Sequence, residues 1–116
     1  MGVFPDPDRE VDAAQARRMM DEQAAQVVDL REQHERDAGH IPDDRYLNIA
    51  RVASEADSIR GDRPVIFYCR SGMRSGMTAA AFNSAGWDAY NLQGGLLAWA
   101  ESGQPLDPAD GTVAEH

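Results

Sequence analysis

Apolar and polar positions along this chain fall into two alternating kinds of run. Short, mostly apolar stretches read as strands: the unbroken Val65-Ile66-Phe67-Tyr68 above all, then residues 27–30, a buried strand ending in charge, and 89–92. Between them lie segments with helical spacing. In the first of these, Ala16, Met19, Met20 and Gln23 share one side of a helix predicted over residues 13–23, with Asp12 as its N-cap. Residues 10–12 read as a short edge strand and 32–38 as a short helix stopped by Gly39. Pro42 makes residues 40–44 a loop, because it bars helix and restrains Ile41 before it. A short strand is predicted at 46–49, and a helix at 54–59 with Ser54 as cap, closed by Gly61 and Pro64. Then come a helix over 75–85 ended by Gly86, a turn at Gly94-Gly95, and a last helix over 96–102 carrying Trp99.

Strands alternating with helices at such short intervals predict an α/β domain. Its sheet is five-stranded and mostly parallel, with helices on both faces, a three-layer arrangement. The expected organisation is an irregular segment over 1–9, one domain over 10–104, and a loose acidic tail over 105–116. In such sheets ligands bind beyond the carboxyl ends of the strands.

Composition narrows the function classes. The 116 residues carry a net charge of −9, which argues against nucleic acid or an anionic membrane as partner. Residues 64–100 differ from the rest, since Arg70, Arg74 and Asp88 leave that stretch at +1. All 11 basic residues are arginine, so lysine Schiff-base chemistry is excluded. The single cysteine excludes an internal disulfide, a CxxC pair and a Cys-rich zinc site. A free thiol, a first stretch without leader-like character and no long apolar run give the expectation of a soluble cytoplasmic protein.

That cysteine, Cys69, stands where the strongest predicted strand ends, and a polar loop, Arg70-Ser71-Gly72-Met73-Arg74-Ser75, leads into the next helix. A thiol at a helix start faces unpaired N–H groups and the positive end of the helix dipole. Gly72 permits a positive φ, which lets successive N–H groups converge. Ser71 and Ser75 can donate hydroxyl hydrogens or cap the helix. Arg70 and Arg74 add charge that holds an anion and lowers the thiol pKa from about 8.5. The residues themselves thus point to a thiolate nucleophile with an anion site before it.

The loop also resembles the active-site loop of the single-domain rhodaneses, a sulfurtransferase family, and three other phrases match in order. Val28-Asp29-Leu30-Arg31-Glu32 resembles that family's Asp-x-Arg strand end, Gly39-His40-Ile41-Pro42 its Gly-His-Ile-Pro turn, and residues 92–99 its Gly-Gly helix start. The resemblance covers residues 10–104. It implies the rhodanese-like fold and transfer of sulfane sulfur through a persulfide on Cys69, cradled by the N–H groups of residues 70–75. The implied donor is a small anion such as thiosulfate or a persulfide. The implied acceptor is cyanide or an external thiol, including one on a partner protein, because the chain has no second cysteine. No metal or organic cofactor is implied. Only four residues separate Cys69 from Arg74, a tighter loop than those of the related phosphatases, which suits one sulfur atom better than a tetrahedral oxyanion. The alternatives are a sulfur-relay or regulatory module with little free turnover, and a related phosphatase or arsenate reductase.

Other polar residues have plainer readings. Asp29 and Arg31 suit the buried end of a strand that hydrogen-bonds nearby loops, with support of the site as the second reading. His40 suits a structural turn. Met73 either lines the entrance or is an exposed spacer. Two departures from the family pattern stand out: Asp43-Asp44-Arg45 replaces a frequent Gly-Ala after Pro42, and Ala50 stands where a proline is common.

Overall fold

The computed structural model describes residues 7–115, so the part of the predicted irregular segment before Pro7 lies outside the described residues. A 3-10 turn, Pro7–Arg9, leads into β1 (Glu10–Val11) and α1 (Ala13–Gln23). There follow β2 (Gln26–Asp29), α2 (Gln33–Ala38), β3 (Arg45–Tyr46), β4 (Val65–Tyr68), α3 (Met73–Ser84), β5 (Ala89–Leu92) and α4 (Gly95–Glu101). The five strands form one sheet in the order β1-β5-β4-β2-β3. Every paired strand in it is parallel, with Val28 opposite Phe67 and Phe67 opposite Asn91.

Strand parity divides the core into two layers. Ile66 and Tyr68 point to one face, where they meet Ala16 and Met19 of α1, Leu96 and Trp99 of α4, and Ile41. Val65 and Phe67 point to the other, against Ala79 and Phe82 of α3 together with Leu30, Leu47, Val52 and Ile59. The predicted three-layer α/β architecture is therefore present. α1 begins as its sequence dictates: Asp12 accepts from the Gln15 amide at 2.8 Å, and the Gln15 side chain accepts from the Asp12 amide at 3.0 Å.

Four local expectations are corrected. The predicted helix over 54–59 is a run of turns ending in a 3-10 turn, Ala56–Ser58. Ser54 does not cap it, because its hydroxyl donates backward to the Arg51 carbonyl at 3.0 Å. β3 is shorter and earlier than 46–49, because Asn48 folds the chain away by accepting from the Ala50 amide at 2.9 Å. α3 starts at Met73 rather than Ser75, since Gly72 at φ 94° makes the turn within the loop itself. The tail expected to be loose is bound to the body. Asp107 exchanges two backbone hydrogen bonds with His40, Thr112 N donates to Ala38 O at 2.8 Å, and Trp99 Nε1 donates to Pro105 O at 2.8 Å. Gly39 and Gly111 permit this crossing, because a Cβ on Gly39 would stand 2.6 Å from Thr112 O.

A buried ion network joins the carboxyl end of β2 to the loop after α2. Asp29 Oδ1 accepts from Arg31 N and Nε at 3.0 and 2.9 Å, and Arg31 Nη2 also donates to Gly39 O at 2.7 Å. Arg36 bridges Asp29 and Asp44, and Tyr68 donates its hydroxyl to Asp44 Oδ2 at 2.6 Å. Burial, then the charges of Asp29 and Asp44, hold the Tyr68 phenol well above its ordinary pKa, so it stays a donor. Asp44, the departure noted above, thus ties β4 to the 40–44 loop. Asp29 and Arg31 are both fully buried, and losing Arg31 strips Asp29 of its two-pronged partner and leaves it only Arg36, at 3.2 Å. We therefore expect Arg31→Met to lower unfolding free energy by about 3–5 kcal/mol. Urea unfolding checks this, with Arg60→Ala in the exposed Arg60–Asp62 pair as the control that leaves the midpoint in place.

Candidate functional site

Cys69 follows β4 directly and shares the parity of Phe67, which places it on the α3 face of the sheet. It is fully buried. Its Sγ accepts from Gly72 N at 3.1 Å and lies 3.3 Å from Ser75 Oγ. Burial alone would push the thiol pKa up. The Ser75 hydroxyl, the Ser75 and Gly72 amides and the charge of Arg74 act in the opposite direction and prevail, so the pKa lies below its ordinary value. This is the thiolate-stabilising arrangement expected of a strand-to-helix turn, with the donors coming from Gly72 and Ser75.

The two loop arginines part company. Arg74 acts electrostatically on Cys69, while its Nη2 lies 3.7 Å from Glu35 Oε1 on α2. Arg70 turns to the C-terminal segment, donating from Nε to Ala114 O at 3.0 Å with Nη2 3.6 Å from Glu115 Oε1. Ser71 and Met73 are exposed on the rim, Met73 to 78%. Met73 and Met77 line a cleft of about 280 Å³ with Glu10, Gly72, Gly76 and Asn91. Asp29 and Arg31 make the structural contacts described above, and His40 bonds within its own loop through Nδ1, to Ile41 O and Asp44 Oδ1. Among the described residues no group of three His, Cys, Asp or Glu side chains gathers as a metal would need. Nor, among them, is any helix long and apolar enough to cross a membrane.

Two site residues escape a reading of the sequence. Glu35 is fully buried, with Oε2 accepting from Glu32 N at 2.9 Å and Oε1 facing Arg74. Asn91, in β5, accepts from Ser75 Oγ at 2.6 Å and donates from Nδ2 to Gly72 O at 3.0 Å. A signal for Asn91 does exist in the sequence: a polar amide in the interior of an apolar strand must find buried partners. Glu35 gives no comparable signal, because a Glu in a short polar helix is ordinarily a solvated one.

The geometry can be set beside known proteins. The chain is 35% identical over 97 residues to a protein of Allochromatium vinosum named sulfurtransferase, covering 83% of this chain and 91% of that one. It is 34% identical over 100 residues to the thiosulfate sulfurtransferase GlpE of Pseudomonas aeruginosa, covering 85% and 90%. Among solved structures, a rhodanese-related protein of Thermoplasma volcanium superposes with a TM-score of 0.78 at 24% identity, over 84% of this chain and 96% of that one, and shares the fold. The family description "Rhodanese-like domain" matches residues 12–102, a span that runs from the cap of α1 through α4 and includes the whole cysteine loop. With that span, these relatives and the parallel five-stranded sheet in agreement, the chain belongs to the rhodanese-like domain family, whose sulfurtransferase-named members are its relatives.

Proposed function

We propose that this protein transfers a sulfane sulfur from a donor such as thiosulfate to a thiol or to cyanide, through a persulfide on Cys69. The observation that supports this best is the sulfur itself. Cys69 Sγ faces the Gly72 amide and the Ser75 hydroxyl within 3.3 Å, beside the charge of Arg74, in a loop too tight to suit a phosphate. The Cys69 thiolate attacks the outer sulfur of thiosulfate, the S–S bond of the donor breaks, and sulfite leaves with that bond's electron pair. The new S–S bond is the Cys69 persulfide. An acceptor thiolate then attacks the outer sulfur, forms its own persulfide and returns Cys69 as thiolate. Residues 70–75 hold the carried sulfur, with Arg74 as the anion-facing charge and Asp29 and Arg31 bracing the neighbouring loop. Burial of Cys69 makes the exposed rim at Ser71 and Met73 the gate to it. The free thiol fits a reducing cytoplasm, and the acidic surface suits an acceptor on a basic partner protein.

A second reading, a relay fed by another persulfide instead of thiosulfate, draws support from Arg70. With that guanidinium occupied by Ala114 and Glu115, one loop arginine remains for a small dianion.

Intact mass before and after thiosulfate should show a gain of one sulfur atom that a thiol reductant reverses. Cys69→Ser should show no gain, and labelled sulfur retained by that variant would overturn the mechanism. Loading by a glutathione persulfide but not by thiosulfate would select the relay reading. The pH dependence of iodoacetamide alkylation tests the activated thiol. Alkylation follows the thiolate, so a pKa below the ordinary value places the rise of the rate at lower pH than for free cysteine. Arg74→Ala removes a charge that favours the thiolate and should move that rise to higher pH.

A further inference from the structure

Asn91 is 3% exposed, and every polar atom of its side chain is engaged. Its Nδ2 donates to Glu10 Oε1 at 2.8 Å and to Gly72 O at 3.0 Å. Both partners are acceptors, so the amide has one orientation: an Oδ1 in that position would face two oxygens. Oδ1 therefore points at Ser75, from whose Oγ it accepts at 2.6 Å. Ser75 has a single hydroxyl hydrogen. Its Oγ also lies 3.3 Å from Cys69 Sγ. A hydrogen directed at Asn91 leaves only lone pairs of Oγ toward the sulfur. Lone pairs suit a thiol, which can donate its S–H, and oppose a thiolate, which needs a donor.

We propose that Asn91 is a positioning residue that competes with the Cys69 sulfur for the Ser75 hydroxyl hydrogen. The hydrogen lies on Asn91 Oδ1 while Cys69 is a thiol and turns to Sγ when the thiolate forms. Ionisation breaks only the S–H bond and releases its proton to solvent. The Ser75 O–H bond rotates without breaking, and no electrons change hands between residues. Once a sulfur is loaded, the negative charge sits on the outer sulfur and Sγ is neutral, so the hydrogen returns to Asn91. The loop thus supplies its strongest neutral donor to Sγ only in the unloaded, ionised state. This inference rests on the thiolate reading of Cys69 given above.

The charged groups around the sulfur come from several elements. Arg74 acts from α3, with Glu35 of α2 beside it. Glu10 of β1 stands behind the Asn91 amide, and Arg70 in the loop is turned toward Glu115. Substitution of Asn91 disturbs the setting of Glu10 as well as freeing the hydroxyl, so the two effects must be separated.

The test is the pH profile of iodoacetamide alkylation in the full chain, for wild type, Asn91→Ala, Asn91→Leu, Ser75→Ala and the two double variants. Loss of the competing acceptor should shift the Asn91 profiles down by roughly half a pH unit, about threefold faster alkylation on the acid side. In the Ser75→Ala background the same substitutions should produce no shift. A loosened loop would instead withdraw donors from a buried sulfur and move the profile up. An upward shift, no shift, or a downward shift that persists without Ser75 overturns the proposal. Should the Asn91 variants not fold, wild type alone decides. The Asn91 side-chain carbonyl resonance should titrate with the alkylation midpoint of Cys69, and a flat resonance overturns the proposal. Alkylation needs no sulfur donor, so failure to load sulfur with these profiles as expected would sink the transferase reading and leave this one standing.

Discussion

The site depends on the close approach of two backbone segments at the carboxyl edge of the sheet. Leu96 N and Leu97 N donate to Cys69 O and Arg70 O at 3.0 and 3.1 Å, so the start of α4 is laced to the cysteine loop. The lacing is possible because Gly95 has φ 60° and no side chain: a Cβ there would stand 2.5 Å from Arg70 O and 2.6 Å from Cys69 O. On the other side, a Cβ on Gly72 would stand 3.1 Å from both Gly94 N and Leu92 O. Residues 69–72 and 94–97 therefore behave as one piece. That piece directs the Gly72 amide at the sulfur, and with it the first turn of α3. Without it the sulfur would lose the Gly72 amide, one of the donors that oppose desolvation of the thiol.

The rest of the molecule serves to keep that edge in place. Asn91 clamps Gly72 from the neighbouring strand, and the Asp29–Arg31–Arg36–Asp44 network fixes the loop after α2 against Tyr68 at the end of β4. Burying so many charges is costly, and each is offset by near-complete pairing. The exceptions cluster beside the site. Arg31 Nη1, Glu35 Oε1 and Arg74 Nη2 are buried without a hydrogen-bond partner among the described residues. Arg74, whose charge acts on Cys69, is thus held loosely by Glu35, at 3.7 Å and without a hydrogen bond.

Much of the scaffold was legible in the sequence. β4 lies where an unbroken apolar run puts it, β5 where a mostly apolar run between turn residues does, and Asp12 caps α1 through an interaction internal to four residues. Cys69 stood out for the same reason, since strand end, glycine and helix start are adjacent in the chain. The misreadings arose where the deciding partner lies far along the chain or belongs to the backbone. The tail docks chiefly through main-chain groups of Asp107, Thr112 and Ala114, which side-chain patterning does not record. Arg70 turns away from the sulfur because of that docking, so its direction could not be read from the loop. Ser75 appeared as a helix cap or a substrate contact. It does not cap α3, whose N-cap is Gly72, and its hydroxyl lies between Cys69 Sγ and Asn91, 16 residues on.

The division of the core by the sheet has an optical consequence. Trp99 is fully buried in the layer with α1 and α4, its indole nitrogen bonded to Pro105 at the root of the C-terminal segment. Trp87 packs at the edge of the opposite layer, in an edge-to-face contact with Phe82 at 5.3 Å between ring centroids. The two indoles are the chain's only tryptophans and stand in unlike surroundings, one dry and hydrogen-bonded, the other half in water. Their emission therefore encodes the two faces of the sheet separately. Replacing either by phenylalanine turns the protein into its own single-sided fluorescent gauge: one version sensitive to detachment of the tail, the other to loosening of the helix that begins at the cysteine loop.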